Sequence, residues 1–347
     1  MSDAPDNASA ATAQTGHPAS PWITVLIAVW NREETIRRCI DSVLAQSFSD
    51  FEIVAVDDCS TDRSVDIVRR YDDARIRILR RQTNGGPWAA LYSGIRAAGG
   101  KWILHLGSDD ELLPGALGRI AELTRAAAPD VGLVGMSYVY DDGSTGPQPA
   151  FPGGDLDFER WLEWTDRASR LDALACYRRA AFDDLACFDD VKSLTQFMMR
   201  LIARWRMRVD PQPGGLVHTD AANRQTTAKA LLLPTDRMLT NATAAEEVAR
   251  EFGQVMRLHA PRRYKRLSFM AGRWYLLAGK RRRGARSMLA FLVRQPACGM
   301  GWAHLLAGLL GPKVLLGLIA RRKRLQARRA ARIQADAKRP TDRDHRT

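Results

Sequence analysis

The chain has 347 residues, 46% hydrophobic and 26% charged, the composition of a folded protein with room for one large domain and an appendage or for two domains. Its 52 Lys+Arg against 39 Asp+Glu give a formal net charge of +13, and from Arg321 to Thr347 eleven Lys/Arg face three Asp, so most of the excess lies at the end of the chain and favours a polyanion. The five cysteines are odd in number and form no CxxC pair, which argues against a disulfide framework and a zinc site and for a reducing compartment.

Residues 1–20, "MSDAPDNASAATAQTGHPAS", are small and polar and lack the apolar segment of a signal peptide, so a flexible tail is expected. "WITVLIAVW" is a β-branched strand, and "REETIRRCIDSVLAQ" places Ile36, Ile40, Val43 and Leu44 at helical spacing. "FEIVAVDD" is a second strand, and "STDRSVDIVRRYD" opens with capping residues and continues as a helix. "RIRILRR" is a short strand, "PWAALYSGIRAAGG" a helix closed by glycines, and "KWILHLG" a fourth strand. Strands this apolar, joined through helices, predict an α/β fold with a mostly parallel sheet flanked by helices.

A further strand is expected in "VGLVGMSYVYDDGS", then a mobile Pro/Gly-rich loop in "GPQPAFPGGD". "FERWLEW" and "LTQFMMRLIARW" are helical, and "RMRVDPQPGGLVHTD" is a strand and loop that return the chain to the first four strands. Beyond about Thr226 the pattern is helical and basic. "WAHLLAGLLGPKVLLGLIA" is interrupted by His304, Pro312 and Lys313, which favours a packed or interfacial helical hairpin over a membrane span.

In parallel α/β sheets ligands bind beyond the carboxyl ends of the strands, so "AVWNRE", "DDCSTD" and "GSDDE" are the loops that matter. Neither GxxxxGK[ST] nor GxGxxG follows these strands, so the site is built from carboxylates instead of a glycine-rich phosphate cradle. Such a site suits Mg²⁺ or Mn²⁺, which take one or two protein carboxylates while substrate phosphates supply further oxygens.

"VLIAVWNREETIRRCIDSVLAQSFSDFEIVAVDDCSTDRS" followed by "NGGPWAALYSGIRAAGGKWILHLGSDDELLP" resembles the N-terminal half of a family-2 glycosyltransferase with the GT-A fold, in order from about Pro21 to Pro114 and more weakly to about Thr226. The resemblance implies a domain over 21–225; beyond it the residue pattern predicts a helical, membrane-associated region over 226–320 and a basic tail over 321–347. It implies a nucleotide-binding role for Ala28, Val29, Trp30 and Glu33 in the first loop, where the family's Pro-x-Tyr-Asn is replaced but an aromatic ring is kept at Trp30. The family's Val-Asp-Asp-Gly-Ser-x-Asp stands as "VDDCSTD", so Asp58, with Asp57 beside it, is expected to bind the base. A carboxylate accepting from a ring N–H selects bases with that donor; helix capping is the structural alternative for both.

At "GSDD" Gly107 replaces the first acid of the family motif, and the resemblance assigns Asp110 to the metal and Ser108 and Asp109 to the nucleotide, Asp109 on ribose or the metal, with Glu111 peripheral. The acceptor's base is normally a Glu-Asp pair; here Ser193-Leu194 stands in its place. The catalytic expectation therefore falls on Asp190 and Asp189, with Asp183 or Asp184 as an alternative and loss of transfer activity as another. His218 is either a metal ligand or structural.

The resemblance implies an inverting, metal-dependent transferase using Mn²⁺ or Mg²⁺, a nucleotide-diphosphate sugar donor and a glycan, lipid-linked or protein acceptor, acting in surface polysaccharide biosynthesis. The alternative is a catalytically weakened subunit that binds sugar nucleotide or glycan. The basic end predicts a cytoplasmic protein peripheral to the inner, anionic face of the membrane. A nucleic-acid partner is disfavoured because no aromatics interleave the basic run.

Overall fold

A computed structural model describes residues 20–183, 193–219 and 234–337. They divide into two compact units, one of 20–183 and 197–219 and the other of 193–196 and 234–337. In the first unit β1 (Ile23–Val29), α1 (Ile36–Leu44), β2 (Phe51–Asp57), α2 (Ser64–Arg69), β3 (Ile76–Arg80), α3 (Pro87–Ala97) and β4 (Trp102–Gly107) alternate as the sequence pattern predicts. There follow β5 (Asp110–Leu112), α4 (Ala116–Arg125), β6 (Val131–Tyr140), β7 (Thr145–Gly146), β8 (Gly154–Leu156), α5 (Phe158–Arg167), β9 (Leu174–Arg178) and α6 (Ala180–Asp183). α7 (Leu194–Ile202) straddles the division, and β10 (Arg206–Val217) completes the sheet.

The strands form one sheet in the order β3-β2-β1-β4-β9-β6-β10-β5, with β7 on β6 and β8 on β10. β1 to β4 are parallel; β9 runs antiparallel between β4 and β6, and β5 antiparallel to β10. The α/β expectation therefore holds, with the antiparallel strands gathered in the later half. "GPQPAFPGGD" is tied to the sheet at both ends, since the last residue of β7, Gly146, and the first two of β8, Gly154 and Asp155, lie within it. β1 and β2 have no exposed residue because helices cover both faces, and their aliphatic side chains form the main core with Ile36, Cys39, Ile40 and Val43 of α1. Each large aliphatic side chain so buried contributes about 1.5–3 kcal/mol.

Register places the ends of the first four strands side by side: Val29 opposite Asp57, Asp57 opposite Arg80, and Ala28 opposite Gly107. The opposite edge is braced by a buried carboxylate. Oε1 of Glu52 accepts from Thr24 Oγ1 at 2.7 Å and the Gly99 N–H at 2.6 Å, and Oε2 accepts both Nε and Nη2 of Arg77. Burial opposes ionisation of Glu52, but these hydrogen bonds outweigh it and hold the carboxyl below its ordinary range.

The second unit is helical: α8 (Thr235–Glu251), α9 (Gly253–His259), α10 (Pro261–Leu277), α11 (Arg281–Arg294), α12 (Gly299–Leu310) and α13 (Pro312–Ala337). Its core holds Phe269, Leu276, Met288, Phe291, Leu292, Leu305 and Leu315. Glycines let these helices approach closely: a Cβ on Gly284 or Gly308 would meet Leu276 at 2.7 or 2.8 Å. The predicted hairpin is α12 and α13, broken at Gly311 (φ +143°) and Pro312, and among the described residues no helix is long and apolar enough to cross a membrane.

Glu52→Ala is expected to lower the unfolding free energy by about 2–3 kcal/mol near neutral pH, the loss of charge-assisted hydrogen bonds to a buried acceptor. A carboxyl held low in the folded state stabilises fully above the ordinary glutamate range and loses that contribution as pH falls through the folded value. Urea unfolding at neutral and acidic pH should therefore show the gap between Glu52→Gln and the parent closing in acid.

Candidate active site

The chain leaving β4 is held by one polar stripe of α1 and its flanks. Thr35 Oγ1 donates to the Ser108 carbonyl at 3.0 Å, Arg38 Nη2 to that of Asp109 at 3.1 Å, and Cys39 Sγ to that of Gly107 at 3.3 Å. Further along, Ser42 Oγ accepts the Leu112 N–H, while the Gln46 amide donates to the Leu113 carbonyl and accepts the Leu117 N–H. Positions 35, 38, 39, 42 and 46 recur at helical spacing, so a single helix face satisfies the backbone of 107–117. "GSDDE" is consequently not a solvated turn: Asp110 and Glu111 begin β5, where Asp110 pairs with Val217 and Glu111 with Leu216 of β10.

The carboxylates of Asp109 and Asp110 converge over Gly107. A Cβ there would lie 2.5 Å from Asp110 Oδ2 and 3.2 Å from Asp109 Oδ1. The space that the missing acid's side chain would need is thus occupied by Asp110 itself. The local field is negative: burial, then Asp110, Asp109 and Glu111, push the Cys39 thiol well above its usual range. Burial and Asp110 do the same to the Tyr138 phenol. Arg32 Nη2 stands 3.9 Å from Asp109 Oδ2 and partly offsets this charge.

His218 follows Val217 at the same edge, and its Nε2 lies 2.5 Å from Glu111 Oε1. Among the described residues no three His, Cys, Asp or Glu form a metal-holding group. Two convergent carboxylates nevertheless fit a hard cation that draws its remaining ligands from phosphate and water.

Asp57 and Asp58 are both 2% exposed and carry structural bonds. Asp57 accepts the Ser60 N–H and Arg80 Nε. Asp58 Oδ1 accepts Arg81 Nη1 at 2.6 Å and the Gly85 N–H at 3.0 Å, and Oδ2 accepts the Gly86 N–H at 2.7 Å. Two carboxylate oxygens offer about four lone-pair positions, so one on Oδ2 remains for a ligand N–H. Sequence reasoning missed this loop: Arg81 and Asn84 to Gly86 wrap Asp58, Asn84 Nδ2 donating to its carbonyl at 3.0 Å. The signal was "RRQTNGG", arginine and turn residues just beyond the third strand.

The first two loops are stitched together. Asn31 and Glu33 give their N–H groups to Ser60 Oγ and Asp62 Oδ2, and Glu33 Oε2 accepts the N–H and Nε of Arg63. Glu33 is therefore a brace between loops, Val29 is buried, Ala28 half-buried, and Trp30 is 45% exposed beside them. Ser108 is buried, its carbonyl held by Thr35.

The expected bases Asp189 and Asp190, and Asp184, lie outside the described residues. Asp183 ends α6, and α6 follows the Arg178 end of β9, which registers with Trp102 at the start of β4. Because β9 is antiparallel, Asp183 lies toward the edge opposite Gly107 and is not brought to Asp109 and Asp110.

Residues 24–185 match the profile of Glycosyl transferase family 2. The succinoglycan biosynthesis protein ExoO of Rhizobium meliloti (strain 1021) is 39% identical over 123 residues, which cover 35% of this chain and 35% of that protein. The chain thus spans about a third of that relative. Among solved structures, S. aureus TarS 1–349 in complex with UDP-GlcNAc aligns over 85% of this chain and 90% of that one, with a TM-score of 0.55 and 20% identity. The mannosyltransferase PcManGT from Pyrobaculum calidifontis, in complex with GDP-Man and Mn²⁺, covers 85% and 86%, with a TM-score of 0.51 and 17% identity. These two likenesses bear on the fold.

Gly107→Ala is expected to cost about 1–3 kcal/mol, an overpacking penalty against Asp110. A double-mutant cycle by chemical denaturation should show most of that cost vanishing in an Asp110→Ala background; strict additivity would mean that the two positions do not share the space.

Proposed function

We propose that this chain, whose residues 24–185 match the profile of glycosyl transferase family 2, is a glycosyltransferase that binds a nucleotide-diphosphate sugar at the edge made by Trp30, Asp58, Arg81 and Gly107–Asp110 and passes the sugar to a glycan, lipid-linked or protein acceptor in surface polysaccharide biosynthesis. The observation that carries this reading is the convergence of Asp109 and Asp110 over Gly107, in a negative field held rigid by α1.

In this reading the exposed Trp30 ring packs near the base, and the open lone pair on Asp58 Oδ2 accepts a ring N–H. Arg81, already on Asp58, keeps that carboxylate oriented. Asp109 holds ribose, and Asp110 with Asp109 holds Mn²⁺ or Mg²⁺. A divalent ion there would supply charge stabilisation to the leaving diphosphate. Transfer proceeds with inversion. A carboxylate, Asp190 or Asp189, takes the acceptor hydroxyl's proton, the oxygen forms its bond to the anomeric carbon, and the bond to the diphosphate breaks.

Ser193-Leu194 in place of an acidic pair supports a second reading, a subunit that binds donor without turnover. The eleven cations between Arg321 and Thr347 support a station at the inner, anionic face of the cytoplasmic membrane.

Purified protein is expected to hydrolyse or transfer sugar from a UDP- or GDP-sugar in the presence of Mn²⁺, and Asp110→Asn should lower that rate by about a thousandfold, the order of a lost electrostatic anchor for the leaving group. Calorimetry with UDP or GDP and Mn²⁺ checks the binding half alone. Failure to bind any nucleotide sugar at any Mn²⁺ concentration would sink the reading. Tight binding with no turnover over a broad acceptor panel would favour the donor-binding subunit.

A further inference from the structure

The helical unit contains a cavity of about 200 Å³ whose walls come from α9, α10, α11 and the residue after α11. Three cations line it, Arg257, Lys265 and Arg294, between the rings of Tyr264 and Phe291. No carboxylate is among its lining residues. Arg257 lies over the Tyr264 ring, 5.5 Å from its centroid, and Arg294 Nη1 reaches only the Ala290 carbonyl of its own helix. Among the described residues none of the three cations has a carboxylate partner within ion-pair distance.

A second cavity, on the sheet unit, shows the contrast. Three of its four arginines are answered by acids, Arg208 forking onto Asp155, Arg206 lying 3.6 Å from the same carboxylate and Arg119 reaching Asp210 at 2.8 Å. Like charges gathered without a counter-ion repel one another, and a bound anion relieves that repulsion. Guanidinium and ammonium donors around a small hollow match the oxygens of a phosphate group.

The carrier of that phosphate is indicated by the neighbouring side chains. Leu258 and Val293 adjoin Arg257 and Arg294 in sequence, and they are 77% and 81% exposed, the most exposed large apolar residues described. A single exposed aliphatic is ordinary, but two of them next in sequence to two of the cavity's three cations suit a bilayer surface, where apolar side chains enter the headgroup–acyl boundary while cations meet the phosphates. We propose that the cavity between α9, α10 and α11 is a binding site for the phosphate of an anionic phospholipid. This deepens the membrane-surface reading of the C-terminal part and is independent of the donor reading. It puts a defined lipid contact within the folded helical unit, apart from the basic run beyond Arg321.

The test is sedimentation of the full chain with phosphatidylcholine vesicles with and without phosphatidylglycerol. The parent should bind the phosphatidylglycerol vesicles, and Lys265→Gln/Arg294→Gln should weaken that binding. Arg282→Gln/Arg286→Gln is the control, removing equal charge from exposed positions of α11 that do not line the cavity. A diffuse surface cation contributes about fivefold each, so the cavity pair should weaken binding about tenfold more than the control pair, the excess expected of charge-assisted hydrogen bonds. Leu258→Ser/Val293→Ser should also weaken vesicle binding, and an unchanged far-ultraviolet circular dichroism spectrum and melting temperature in every variant show that each still folds. Equal losses in the cavity and control pairs would overturn the site. Cavity-dependent binding of glycerol 3-phosphate or inorganic phosphate, without cavity-dependent vesicle binding, would overturn the lipid.

Discussion

The arrangement of the sheet unit depends on how the backbone leaving β4 is satisfied. Carbonyls beyond Gly107 are buried where a strand partner would ordinarily serve them, and a buried unpaired carbonyl costs on the order of 1–3 kcal/mol. Side chains of α1 and its flanks take up this role from Thr35 to Gln46. With the carbonyls of Gly107, Ser108 and Asp109 turned to α1 and its flanks, Asp109 and Asp110 present their carboxylates over Gly107, and the chain enters β5 at the register that sets Asp110 against Val217. Position 107 must stay without a side chain because the same bonds fix where Asp110 can go.

The acids at this edge differ in role because they differ in local donors. Asp57, Asp58, Asp62 and Glu33 are consumed largely in joining loops, each accepting from backbone N–H groups or arginines across the first three strand ends. Asp109 and Asp110 instead converge over Gly107, and after burial itself Asp110 is the next cause that raises the Cys39 thiol and the Tyr138 phenol. One pattern of acid-rich loops therefore yields a frame of loop-joining carboxylates and a pair that converges over Gly107.

Much of this was legible in the sequence because the relevant forces are local and periodic. Apolar runs such as "ITVLIAV" and the spacing of Ile36, Ile40 and Val43 specify parallel strands and covering helices, and the order of the three polar loops specifies the edge where they meet. What was not legible depends on pairing between distant segments. Nothing local marks "LACYR" as antiparallel, yet that direction carries Asp183 to the far edge. The stripe of Thr35, Arg38, Cys39, Ser42 and Gln46 reads as an ordinary polar helix face until residues 107–117 are laid along it. The grip of Arg81, Gly85 and Gly86 on Asp58 likewise joins segments more than twenty residues apart.

Two departures from the family's motifs show how such long-range fitting limits substitution. Cys59 stands where the motif has glycine and adopts φ +63°, a left-handed conformation that costs a residue with a Cβ roughly 1–2 kcal/mol. Its thiol donates to the Arg81 carbonyl at 3.2 Å, so part of that cost is offset by anchoring the residue that holds Asp58. Gly107 is the reverse case, a glycine where the motif has an acid. A third carboxylate there would collide with Asp110 and add repulsion to a site whose acids already join burial in suppressing ionisation of Cys39. Under the proposed function, two carboxylates would supply less charge to a cation than three, and a ligand's own phosphate oxygens would have to supply more. A site built this way would couple cation retention to the phosphates, so that nucleotide and metal would bind as one unit.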